Sequence, residues 1–138
     1  MLRLCKIIIF IIIIIFPFST NAHVQHYNNL NSIEFDIYRN NKNIGKHIFS
    51  FHRKDQELEV TSIINFKIKK LGIVLYKYNA KGIEIYKENQ LIKFTSKTEQ
   101  NGKSKYVNIH VEDNQYIVDG SSFKGKAPLD YLIGTWWN

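Results

Sequence analysis

Leu58-Glu59-Val60-Thr61-Ser62-Ile63-Ile64-Asn65-Phe66-Lys67-Ile68-Lys69 is the stretch that decides the fold. Leu58, Val60, Ser62, Ile64, Phe66 and Ile68 share one parity, while Glu59, Thr61, Asn65, Lys67 and Lys69 share the other. A period of two lines one face of a pleated strand, whereas a helical period of 3.6 would scatter the lysines around the axis. The same alternation spreads outward in both directions. Upstream, Ile33, Phe35 and Ile37 alternate with Glu34, Asp36 and Tyr38, and a run from Ile44 to Lys54 puts Phe49 and Phe51 on one face. Downstream, strands are expected over Ile73–Tyr86, Leu91–Gln100, Lys103–Glu112 and Gln115–Val118.

Polar turns separate these runs, among them Asn40–Asn43, Asp55–Glu57 and Asp113-Asn114. Asn101-Gly102 is the sharpest hairpin signal, because both residues tolerate the positive φ of a type I′ turn. Beyond Gly120 the pattern decays into Ser121-Ser122, Lys124-Gly125 and Ala127-Pro128, and Leu129–Asn138 is apolar and aromatic but too short to classify. No stretch of residues 23–138 reads as a helix. The expectation is all-β: a single antiparallel meander sheet of about seven strands. One layer must curl to cover its apolar face, which gives a half-open barrel.

The run Ile73–Tyr86 admits two geometries. Tyr76 and Tyr78 share a face, but Ile83 and Ile85 fall on the other parity. A β-bulge at Gly82 would restore the alternation. Alternatively, the face carrying Tyr76, Tyr78, Glu84 and Tyr86 continues unbroken as a mixed polar and aromatic surface. The bulge is the slightly favoured reading.

The N-terminus has a different character. Arg3 and Lys6 precede an apolar run, Ile7 to Phe16, then Pro17 and the small or polar Ser19-Thr20-Asn21-Ala22. That order is the pattern of an export signal, here a signal helix over residues 1–22 with cleavage between Ala22 and His23. The alternative is an uncleaved inner-membrane anchor, but the run is well short of the roughly 20 residues that cross a bilayer as a helix. Residues 23–138 then form one β domain, in the periplasm. Cys5 is the only cysteine and leaves with the signal, so that domain has neither a disulfide nor a thiol nucleophile. Without Arg3 and Lys6 the formal charge of +7 becomes +5. Its lysines are dispersed over strands and turns as a solvated face, with attraction to an anionic membrane surface as the functional reading. Export and the lack of a binding motif speak against nucleic acid.

Several of these elements together resemble the bacterial secreted proteins of domain-of-unknown-function family 6134. They are the hairpin Phe35-Asp36-Ile37 to Ile44-Gly45-Lys46-His47, and Phe66-Lys67-Ile68-Lys69 leading into Tyr76-Lys77-Tyr78. Glu84-Ile85-Tyr86, Leu91-Ile92-Lys93-Phe94, Ser96-Lys97-Thr98 and Asn101-Gly102 follow in order, and Thr135-Trp136-Trp137-Asn138 resembles the family's closing Trp-Asn segment. Tyr86 stands where the family pattern carries tryptophan. The pattern also continues past the Trp-Asn segment, so the resemblance implies a member truncated at its C-terminus, with an exposed sheet edge. It supplies a fold and a compartment, and no catalytic residues.

The residues themselves offer few sites. His23 and His26 lie near the new N-terminus and bind metal at most weakly, His47 and His52 point to opposite faces of one strand, and His110 stands alone. No metal site and no cofactor is expected. There is no Gly-x-Ser-x-Gly motif and no serine that the sequence ties to a histidine. Glu84 reads either as a cross-strand partner for a lysine or as a buried polar anchor for a ligand. Phe49, Phe51, Phe66, Tyr76, Tyr78, Tyr86, Phe94 and Tyr106 either form ordinary core or line a concave cavity for a lipid or other apolar small molecule. The candidate ligand residues are Phe66, Tyr76, Tyr78, Glu84 and Tyr86. The expected function is a non-enzymatic cell-envelope binding protein. An interaction module whose edge strands pair with an envelope protein is the alternative, and an enzyme completed by further C-terminal residues is third.

Overall fold

The computed structural model describes residues 29–131. Eight strands follow one another: β1 (Ser32–Arg39), β2 (Lys42–Lys54), β3 (Glu57–Lys70), β4 (Ile73–Lys87), β5 (Gln90–Gln100), β6 (Lys103–Glu112), β7 (Gln115–Gly120) and β8 (Lys124–Pro128). They form a single antiparallel sheet in sequence order, and no helix occurs among the described residues. The expected signal segment, its cleavage point at Ala22 and His23, Cys5, and the closing Trp136-Trp137 lie outside the described residues. No helix in the described part is long and apolar enough to cross a membrane.

Tight turns make this meander. Asn40-Asn41, Leu71-Gly72, Glu88-Asn89, Asn101-Gly102 and Asp113-Asn114 each place two consecutive residues at positive φ, which matches the right-handed twist of the strands they join. Asparagine, aspartate and glycine fill most of these positions because they tolerate that region. Leu71, at φ 51°, has no such excuse.

The eighth strand was not legible from alternation. Lys124-Gly125-Lys126-Ala127-Pro128 holds glycine, proline and no branched residue, a composition that favours strands poorly. It pairs because β7 offers an open ladder, from Asp119↔Lys124 to Gln115↔Pro128. Proline is tolerated there because β8 is an edge strand. At Gly125 a Cβ would lie 2.7 Å from the tip of the exposed Phe123 ring, which would have to shift to admit a side chain.

Gly82 carries no bulge. The β3–β4 register runs unbroken from Glu57↔Lys87 to Ile68↔Tyr76, and β4–β5 pairs continuously through Gly82↔Ser96. Ile83 and Ile85 instead remain half-buried on the opposite side of the sheet, so no change of parity is needed. The register shifts lie elsewhere, where Ile44, Leu75 and Ile92 are passed over in pairing with β1, β3 and β4 respectively. Bulges of this kind bend a strand and increase its twist.

Full burial of apolar side chains is confined to one face. Phe49, Phe51, Val60, Tyr86 and Leu91 form the core cluster, with Ile33, Leu58 and Phe94 packed against it. All share one face by register, and Val60 is fully inaccessible. A flat single layer would leave that face wet, so the sheet curls over it, yet it does not close. Strands β1 and β8 each have a single neighbour among the described residues. Tyr106 is a correction to the sequence reading. It pairs with Lys97 on the outer face, and its hydroxyl donates to Asp119 Oδ1 at 3.3 Å.

Candidate functional site

Even-numbered residues over 58–68 of β3, 76–86 of β4 and 94–100 of β5 face the inside of the curl. Phe66 stands directly opposite Tyr78 and diagonal to Tyr76. Its ring stacks on both, with centroids 5.2 Å from Tyr78 and 5.7 Å from Tyr76, a spacing suited to offset aromatic pairs. All three rings are only half-buried, so each keeps a free surface. Below them Ala80 and Gly82 carry almost no side chain, and the sheet surface drops. The result is a cleft of about 420 Å³, within the range that holds small apolar ligands. Phe66, Tyr76 and Tyr78 form one wall, Gly82 and Glu84 the floor, and Phe94 the far side.

Four of the five candidate residues therefore line one space: Phe66, Tyr76, Tyr78 and Glu84. Tyr86 does not reach the lining. It is buried in the core behind Glu84, and its hydroxyl donates to Glu84 Oε2 at 2.7 Å. This bond has the length typical of a well-formed O–H···O hydrogen bond. It fixes the orientation of Glu84, which is itself only 4% exposed. Glu84 thus sits as a buried polar group in an aromatic-walled cleft, with Tyr86 as its positioning partner.

A polar pair at the cleft margin escaped the sequence reading. His47 Nε2 is hydrogen-bonded to Ser62 Oγ at 2.9 Å, and its ring lies 4.2 Å from that of Phe49. Ser62 also lines the cleft. One signal was available: both residues occupy apolar parity positions in their strands, His47 with Phe49 and Ser62 with Val60. What no pattern could supply was the β2–β3 register that brings them together. Ser62 lies in the middle of β3, paired on both sides, so the local backbone N–H groups are committed to the ladder. No carboxylate is bonded to His47 among the described residues, and an activated nucleophile ordinarily needs an oriented base and oxyanion donors.

Burial holds the His47 pKa below its ordinary value of 6.5. The unfolded chain therefore binds that proton more readily than the folded one. The contribution of His47 to stability is complete above about pH 6.5 and is lost as the pH falls through the lowered folded value. Denaturant midpoints measured at pH 7.5 and pH 5 should accordingly fall further for the wild type than for His47→Gln. Equal falls in the two proteins would exclude this linkage.

His52 and His110 are exposed, and no group of three or more metal-ligating side chains occurs among the described residues. The ion pairs Lys46–Glu34 and Lys124–Asp119 lie on exposed strand surface away from the cleft. Hydrogen bonding to the carboxylate raises the pKa of each lysine and lowers that of Asp119. Such exposed pairs contribute little to stability.

A family model described as a domain of unknown function (DUF6134) matches residues 35–138. No curated protein and no solved structure matches the chain.

Proposed function

The chain belongs to domain-of-unknown-function family 6134, a family without an assigned activity, and we propose that it is an exported cell-envelope protein that binds an apolar ligand without transforming it. The observation that carries this reading is the cleft between β3, β4 and β5. Its walls are the stacked Phe66, Tyr76 and Tyr78, and its lining holds one buried carboxylate, Glu84. The aromatic walls favour an apolar body, and the polar part of the lining, Glu84 with Ser62, Ser96 and Thr98, favours a hydrogen-bonding group at one end. Export is supported by the order of charge, apolar run and small residues over residues 1–22.

The neutral fluorophore N-phenyl-1-naphthylamine combines an aromatic body with a single N–H and is the probe of choice. Its emission should rise saturably with one site per chain. Gly82→Leu should weaken that binding more than tenfold while the sheet stays folded. A Cβ at Gly82 meets only ordinary contacts, Phe94 Cε2 at 3.5 Å and Ser62 Cβ at 4.0 Å, so the larger side chain extends into the cleft. Equal binding by the two proteins, with unchanged circular dichroism, would overturn the assignment of the site.

A second reading rests on the β1 edge, which has no outer neighbour among the described residues and where Phe35 and Tyr38 are exposed. An envelope protein that added a strand there would be recovered at one-to-one stoichiometry and would be displaced by proline substitutions in β1.

A further inference from the structure

We propose that the tip of the β3–β4 hairpin docks on an anionic lipid bilayer, with its aliphatic side chains entering the headgroup layer and the flanking lysines meeting lipid phosphates. The tip is the apolar extreme of the described surface. Leu71 is 93% exposed, Ile73 66%, Leu75 57% and Val74 48%. Four contiguous exposed aliphatics at a hairpin end are unusual on a soluble monomer and mark an interaction surface.

Charge selects the occupant. Lys69 pairs with Val74 and Lys70 with Ile73, and beyond the Ile68–Tyr76 pair the exposed Lys67 and Lys77 face each other. Every lysine of that hairpin end is exposed, and β3 and β4 carry no acidic residue between Thr61 and Ile83. The neighbouring β5–β6 turn is tied to the same end, since Asn101 N–H donates to the Lys77 carbonyl at 3.0 Å and the Lys77 N–H donates to Asn101 Oδ1 at 2.8 Å. It brings Lys103 and Lys105, whereas Glu99 is the nearest acid on that connection. Turns alternate between the two ends of a meander, and the opposite end carries both signs, with Asp55, Glu57, Glu88, Glu112 and Asp113 beside Lys54 and Lys87. The molecule therefore presents a basic end with an aliphatic tip, which complements a negatively charged lipid surface in both respects.

Backbone geometry gives an independent argument. Leu71 holds φ 51°, where asparagine or aspartate fills the corresponding position in three of the four other paired turns, Asn40, Asn101 and Asp113. A leucine there is strained and buries nothing, so it opposes folding on both counts. At Leu75 the strand bulges, which takes this residue out of the ladder and turns it outward beside Val74. Neither feature serves the core.

Flotation of the full chain with phosphatidylcholine vesicles, with and without phosphatidylglycerol, tests the proposal. Comparing variants within the same chain keeps the contribution of residues 1–22 constant. The wild type should prefer the anionic vesicles, and Lys69→Gln and Lys70→Gln should each reduce that preference about fivefold. Added salt should have the same effect. Leu71→Asn should lose vesicle binding while gaining thermal stability, a pair of opposite changes that a merely structural leucine would not give. Unchanged vesicle binding in Leu71→Asn and in the lysine variants would overturn the proposal. So would a concentration-dependent dimer abolished by Leu71→Asn, since the tip would then be covered by a second copy. Leu71 lies outside the cleft, so phenylnaphthylamine binding is unaffected by these variants and the two readings fail separately.

Discussion

Phe49→Ala is expected to destabilise the protein by about 3–5 kcal/mol. Phe49 is 3% exposed and belongs to the core cluster with Phe51 and Val60. Truncation removes its transfer free energy and leaves a cavity. It also breaks the ring contact to His47 at 4.2 Å and the edge contact to Phe35 at 6.3 Å. Among the described residues no second layer backs the sheet, so relaxation recovers little. Urea unfolding of wild type and variant measures the difference. Against a total of about 5–15 kcal/mol for a typical domain, a loss of this size brings the variant close to unfolding at room temperature. A loss below about 1 kcal/mol, outside the range for deleting a buried phenylalanine, would mean that the inner face is not a packed core.

Gly45→Ala adds one methyl group and is expected to cost about 3 kcal/mol, at the upper end for overpacking. Gly45 pairs with Phe66 in β3. A Cβ built on it would lie 2.0 Å from the Asn65 carbonyl oxygen and 2.5 Å from Phe66 Cβ. The first obstacle is backbone and cannot rotate away, so β2 and β3 must part locally. Its φ is not in the positive range, so the cost is steric rather than conformational. Because Phe66 is a wall of the cleft, the same substitution should also weaken phenylnaphthylamine binding. By contrast, Gly82→Ala meets nothing closer than 3.5 Å and should leave stability within about 0.5 kcal/mol, as for substitutions away from packed features. The contrast between two strand glycines is measurable by the same urea titration.

Much of the architecture could be read from period alone. In β3 the parity of Leu58 to Lys69 gave both the strand and its buried face, and the polar pairs between strands gave the hairpins. Alternation failed where composition and position disagree. In β8 pairing to an open edge outweighs the poor propensity of glycine and proline. In β4 the parity change at Gly82 suggested a bulge, but both faces of a curled sheet are partly covered, so apolar residues on either parity find shelter. Tyr106 was misplaced because an aromatic ring beside alternating lysines and serines carries no mark of the face it occupies.

For the site, Phe66, Tyr76, Tyr78 and Glu84 were legible as one surface because they share parity in adjacent strands. The role of Tyr86 behind Glu84, and the meeting of His47 with Ser62, depend on register and side-chain direction, which a one-dimensional pattern does not encode. The tip of the β3–β4 hairpin was visible only as an interruption at Leu71-Gly72. Its exposed aliphatics emerge from the bulge at Leu75 and from the reach of two long strands beyond their neighbours.

The claim that the curl of β3, β4 and β5 holds an apolar ligand meets its most direct test in native mass spectrometry of the protein isolated from its own cells. The account predicts one apolar adduct per chain in the wild type, absent from Gly82→Leu, with added lipid raising the thermal midpoint of the wild type alone. A clean apo mass for the wild type, with no gain in thermal stability from lipid, would contradict it.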